Sequence, residues 1–230
     1  MLQTDATFQP VRVPLFADVC ADIFVNLGSA LANFNGHTDL LPGQIYLGGT
    51  STTAGFLNSL PDSLFIGIRF KPGGLHFFYH LPLFEMVDRI IEFQDNHFLS
   101  IIGPDEKLPD RLDQFYLSKQ SKNNLIQPIV DTVYHHKGLI SVDTLTQKCN
   151  ITTRSLERLV NLTIGTTPKE FINIVRFQQS LHLLKQQRTS GQLKHIALKM
   201  GYYDQAHFIR DVKKHAGVNP SEIKPVPRFP

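Results

Sequence analysis

The spacing of hydrophobic and polar positions changes character along the chain. In "LFIGIRF" the residues Leu64, Ile66, Ile68 and Phe70 alternate with Phe65, Gly67 and Arg69, the period of a half-buried strand. "ADIFVNLG" is likewise rich in Val, Ile and Phe, while "FNGHTDLLPG" and "YLGGTSTTAG" carry the Gly, Pro, Asn and Thr of loops. A β-rich region from Phe8 to about Phe70 is the expectation. After "KPGG" the spacing of Leu75, Phe78, Tyr79, Pro82, Leu83, Phe84, Val87, Ile90 and Ile91 moves closer to that of a helix. "PDRLDQFYLS" predicts a further helix before the connector "SKQSKNN".

The back half repeats itself. Thr146 corresponds to Ala197 and Asn150 to Gly201 at an offset of 51; one turn residue later the offset is 52. At that second offset Leu156 matches Phe208, Arg158 matches Arg210, Val160 matches Val212, Gly165 matches Gly217, Pro168 matches Pro220 and Glu170 matches Glu222. One supersecondary unit is used twice. In each copy an apolar-faced helix (Val142 to Cys149; Leu193 to Met200) precedes a short turn and a second helix beginning near Thr153 or Asp204. Gly165 and Gly217 stand where C-terminal caps belong. "TPKE" and "NPSE" then offer a cap, a Pro at the first helical position and a Glu that can answer back. This is the plan of a helix-turn-helix, whose second helix enters the major groove. Phe171, Ile174, Val175, Leu181 and Leu184 form an apolar stripe between the units, predicting one joining helix of about 18 residues, roughly 27 Å long. Two reading helices, about 153–163 and 204–215, would then lie about one turn of DNA apart.

Charge separates the same two parts. Residues 1–118 carry 6 Lys+Arg against 13 Asp+Glu, and residues 119–230 carry 17 against 7, so a total of +3 conceals an acidic front and a basic back. A basic half suits a polyanion, although charge alone fits a solvated basic face equally well. Two cysteines, Cys20 and Cys149, in no CxxC arrangement, suggest neither a disulfide framework nor a cysteine zinc site. No apolar run approaches the roughly 18 residues of a membrane span, and a soluble, cytoplasmic protein is expected.

Other features are weaker. "GGTSTTAG" lacks the Lys-Ser/Thr ending of a phosphate-binding loop and reads as a flexible hairpin or loop. His76 and His80, at i and i+4, have no recognisable further ligands, and His135 and His136 face different ways on a helix. No metal, cofactor or catalytic residue is therefore assigned. "RFKPGG" reads first as a strand-to-helix connection; Arg69, Lys71, Gly73 and Gly74 are also candidates for an anion or effector site.

"IALKMGYYDQAHFIRDVKKHAGVNPSEIK" resembles the signature of the AraC/XylS family of transcriptional regulators: Ile-Ala, a Gly-aromatic turn, Phe followed two residues later by Arg, then Lys-Lys, Gly and Pro. The resemblance covers about residues 122–225. "ADVCADIFVNLG" and "GIRFKPGG" are similar to an N-terminal domain carried by such regulators, although the chain begins without the initial aromatic-containing strands expected of it. Ala206 and Val212 replace the Ser and Phe frequent in the family. The resemblance implies an α+β protein: residues 1–118 a β-rich effector-binding or dimerisation domain, residues 119–230 an all-α DNA-binding domain. It implies a DNA-binding activator, with double-stranded DNA, a small-molecule effector, RNA polymerase and a second copy of the chain as candidate partners. The family's reading positions fall on Arg154, Glu157 and Arg158, and on Gln205, His207 and Arg210; Lys213 and Lys214 are candidate phosphate neighbours. Arg154 suits guanine and Gln205 suits adenine; Glu157 either accepts from cytosine or only orients Arg158. Two alternatives remain open at this stage, a constitutive regulator with a structural front domain and a catalytic or metal-binding front domain using His76, His80 or Cys20.

Overall fold

A computed structural model describes residues 2–3, 11–103, 105–119, 124–186 and 193–223. Phe8 and most of the "SKQSKNN" connector lie outside these residues.

The front half is a pair of antiparallel sheets. Strands β1 (Leu2–Gln3), β8 (Leu64–Phe70), β3 (Ala21–Asn26), β6 (Ile45–Gly48) and β9 (Ile90–Glu92) form one sheet in the order β1-β8-β3-β6-β9. Strands β2 (Val11–Leu15), β7 (Gly55–Ser59), β4 (Ala32–Phe34) and β5 (Thr38–Leu40) form the second, in the order β2-β7-β4-β5. Alternation along the strands sorts residues between layers. Ala21, Ile23 and Val25 of β3 and Ile66 and Phe70 of β8 point to one side of the first sheet. There they meet Leu75 of α1 (Gly74–Tyr79), Phe98 of α2 (Asn96–Ile101) and Phe115 of α3 (Leu108–Ser118). Phe24, Tyr46, Phe65 and Ile90 point to the other side, toward Ala32, Leu40 and Leu57 of the second sheet. Helices, sheet and sheet make three layers.

Two local expectations are corrected. Ile90 and Ile91, read as helical, lie on β9, because Leu47 pairs with Ile91 and Gly48 with Ile90 in a ladder that local spacing cannot reveal. Thr38–Leu40 and Tyr46–Gly48, read as loop, are strand residues paired with β4 and β3. "RFKPGG" is the strand-to-helix connection; Gly73 takes the left-handed conformation there, with φ of 79°.

Among the described residues the regular elements of the back half are all helical: α4 (Gln127–His135), α5 (Val142–Cys149), α6 (Thr153–Ile164), α7 (Pro168–Gln186), α8 (Leu193–Lys199) and α9 (Gln205–Ala216). The repeat is visible in the bounds, since α6 and α9 begin and end 52 residues apart. Thr152 caps α6 by accepting from Ser155 N, and Asp204 caps α9 by accepting from His207 N. Gly165 and Gly217 end them with φ of 94° and 72°. Leu156, Val160, Phe208, Val212, Ile196 and Met200 are core residues, and Phe171, Ile174, Val175 and Leu181 of α7 join both units through one stripe. Ala17 and Val19 of the front half are buried in this same core.

Candidate nucleic-acid interface and the cavity behind it

The second helix of each unit, α6 and α9, has a buried face set by apolar spacing and a polar face left over. On α6, Leu156, Val160, Thr163 and Ile164 are buried, while Thr153, Arg154, Glu157, Arg158 and Asn161 are exposed. On α9, Phe208, Val212, His215 and Ala216 are buried, while Gln205, Ala206, Arg210, Lys213 and Lys214 are exposed. His207 is half-buried, its ring edge-on to Tyr202 with centroids 5.3 Å apart.

The predicted positions are not equivalent. Arg154 is in the first turn of α6, one residue inside its first position, where its positive charge adds to that of the helix dipole. Glu157 makes no ion pair with Arg158. Arg158 lines a groove of about 520 Å³ between α6 and α1, with Gly73, His76, His80 and Leu159. Lys214 Nζ lies 3.7 Å from Glu170 Oε1, whereas Lys213 has no carboxylate partner among the described residues. Asn161 and Tyr203 were not anticipated. Asn161 continues the exposed stripe of Arg154 and Glu157 at helical spacing; Tyr203, 90% exposed in the turn before α9, stands at that helix's N-terminal end. An apolar ring held out of the core beside a polar helix was the signal that sequence alone could not supply.

A polar relay backs α9. Tyr202 donates to Asp211 Oδ2 at 2.6 Å, Asp211 Oδ1 is 3.5 Å from His215 Nε2, and the Arg176 guanidinium lies 4.5 Å over the Tyr202 ring. Burial pushes the Asp211 carboxyl up, but the facing His215 ring, the hydrogen bond from Tyr202 and the nearby Arg176 outweigh it and hold it below the usual carboxylate value.

Between the two sheets lies a cavity of about 680 Å³, within the size range of small-molecule sites. Phe24, Phe34, Leu40, Leu57, Phe65 and Ile90 give it apolar walls, and Gln178, Leu181 and Lys185 of α7 close it from the helical half. Arg69 is on its wall but is held by Asp22 at 2.9 Å and by Asp18 at 2.9 Å. Arg89 and Lys185, one from each half, are exposed cations of the same lining, without an ion pair among the described residues. Cys20 also lines it, with burial, then Asp18, pushing its thiol up and away from reactivity. Of the effector candidates, Arg69 is on this cavity, Gly73 on the groove beside α6, and Lys71 and Gly74 on neither.

His76 and His80 have ring centroids 6.0 Å apart, and His76 Nδ1 lies 2.7 Å from Leu81 O. Among the described residues no group of three or more His, Cys, Asp or Glu side chains is placed to hold a metal ion, and no helix is long and apolar enough to cross a membrane.

A model of the helix-turn-helix domain matches residues 145–224. The chain is 28% identical over 102 residues to the HTH-type transcriptional activator RhaS of Escherichia fergusonii, covering 44% of this chain and 35% of that protein. It is 29% identical over 103 residues to the lactose operon transcription activator of Staphylococcus xylosus, covering 44% and 36%. The helical half is similar to regulators of the AraC/XylS family. These matches span about a third of the relatives' length, and the relatives bear the names of regulators rather than enzymes. Residues 1–92 match a domain of unknown function (DUF6597). Among solved structures, ToxT from Vibrio cholerae shares the fold, with a TM-score of 0.53 at 14% identity, over 93% of this chain and 96% of that one. Another ToxT structure, with an unsaturated fatty acid bound, has a TM-score of 0.51 at 16% identity and covers 96% of both chains.

Proposed function

We propose that the chain is a DNA-binding transcriptional activator that lays α6 and α9 into successive major grooves and is controlled by a small molecule held between its sheets. The observation carrying the DNA reading is the repeated capped helix pair, with Arg154 and Glu157 on one exposed face and Gln205 and Arg210 on the other. The 19-residue α7 between the units is roughly 28 Å long, comparable with the roughly 34 Å between grooves on one side of DNA. Arg154 pairs with guanine O6 and N7, Glu157 accepts from cytosine N4, and Gln205 pairs with adenine. Arg158, nearest the front half, serves the edge of the stripe, and Lys213 takes a phosphate.

The cavity's chemistry supports an apolar ligand with one anionic end: aromatic and aliphatic walls, with Arg89 and Lys185 at its rim. The fatty acid bound by ToxT belongs to that class. RNA polymerase and a second copy of the chain complete the proposed set of partners.

Selection from a randomised DNA pool at two salt concentrations tests the DNA reading. Two short motifs with centres about one turn apart are expected, with binding that weakens steeply as salt rises. Salt-sensitive binding without any enriched sequence would mean that the basic half holds DNA without reading it.

A further inference from the structure

The segments 16–20 and 49–52 run side by side between the cavity and the reading helices, and each shows a different set of atoms to either side. Asp18 N donates to Ser51 O at 2.8 Å and Ser51 N to Asp18 O at 2.9 Å, locking the two into an antiparallel bridge. Extended chains alternate their faces. Asp18, Cys20, Gly49 and Ser51 line the cavity, as does Phe16, which also packs against the helical core. Ala17 and Val19 are buried in the helical core on the far side.

The far side also holds both reading helices. Thr50 Oγ1 donates to Ile164 O at the last turn of α6. Thr52 O accepts from His215 Nδ1 of α9 at 2.9 Å; a carbonyl only accepts, so Nδ1 carries the proton. His215 O in turn accepts from Ala17 N at 2.8 Å, and Gln178 of α7 donates to Ala17 O. The wall is braced from behind by Asp88, which accepts from Thr52 N at 2.7 Å and from Thr52 Oγ1 at 2.6 Å. His215 is 1% exposed, its ring against Phe177 with centroids 5.0 Å apart.

We propose that this bridged pair of segments is a two-faced wall that transmits occupancy of the cavity to the C-terminal ends of α6 and α9, with His215 as the positioning residue that couples α9 to it. A molecule in the cavity presses on alternate residues of the backbone whose remaining residues fix the reading helices. Because the two segments are hydrogen-bonded to each other, they shift together. The N-terminal ends of the helices, with Arg154 and Gln205, are left free to meet DNA while their orientation is set from the other end. The proposal rests on the effector reading for its natural trigger, but the wall itself can be tested without a ligand.

The test uses the full chain, with amide hydrogen exchange of α6 and α9 as the readout. Oleate is one form of occupancy, its binding recorded by calorimetry. Leu57→Trp is the other, placing an indole in the cavity, with Leu57→Phe as the milder form should the larger side chain prevent folding. Occupancy is expected to change exchange in the last turns of both helices by at least about fivefold, the lower end of ordinary coupling between sites. His215→Leu is expected to weaken the α9 response at least severalfold and spare that of α6, the main-chain bond from Ala17 N to His215 O being the tie that remains. His215→Asn, which keeps a donor near the Nδ1 position, is expected to restore it. A filled cavity with unchanged α9 exchange overturns the wall, as does an identical response in wild type and His215→Leu. A response to Leu57→Trp without any oleate binding supports the wall and removes the fatty-acid class of ligand.

Discussion

Arg154 and Lys213 differ in what they can extract from a DNA duplex. A guanidinium offers a planar pair of donors that matches the two acceptors on a guanine edge, whereas an ammonium is a point charge indifferent to sequence. Arg154→Ala is expected to cost about 1–3 kcal/mol on the selected operator and to relax preference at one base position. Lys213→Ala is expected to weaken all sequences alike and to reduce the salt slope by about 1. Titrations of both variants on cognate and scrambled duplexes at several salt concentrations separate them; equal losses for Arg154→Ala on both duplexes would remove it from the readers. Lys214 is expected to matter less than Lys213, because Glu170 already stands 3.7 Å from its ammonium.

At the scale of elements, the ends of the reading helices carry most of the definition. Gly165 ends α6 with a positive φ, and a Cβ there would lie 2.7 Å from Leu83 O of the front half. Gly165→Ala is therefore expected to destabilise the protein by about 1 kcal/mol or more, through backbone strain and through separation of α6 from the front half. Chemical denaturation measures this loss; an unchanged midpoint would mean that the two halves do not hold α6 between them. These helices were legible because caps, glycine stops and apolar spacing are local codes, and the repeat wrote them twice. The strand β9 was not, because Ile90 and Ile91 are placed by their ladder partners Gly48 and Leu47, about forty positions earlier. The wall was illegible for a related reason. "GGTSTTAG" looks like an undemanding loop, and only folding brings Thr50 and Thr52 against Ile164 and His215. Arg69 was found by its charge, but two neighbouring carboxylates occupy it, while Arg89 and Lys185 drew no notice because their meeting at one cavity is a product of topology.

For the whole molecule, the decisive fact is that both reading helices hang on one continuous α7. Their spacing is then a property of a rigid rod rather than of a linker, and DNA affinity should depend sharply on the distance between the two motifs. Inserting about 5 base pairs, half a turn, between them would rotate one motif to the opposite face of the duplex. The affinity is expected to fall to that of a single motif, whereas a flexible connection would tolerate the insertion; a gel-shift series with spacings in single-base steps reads this directly.

The same α7 closes the cavity with Gln178, Leu181 and Lys185. A chimera built to give this reader a different sensor, by exchanging only the two-sheet half, would therefore inherit a foreign lid over its new binding chamber. A working graft has to carry those three positions of the rod along with the sheets, so the seam for modular redesign runs through the middle of a helix rather than through the connector.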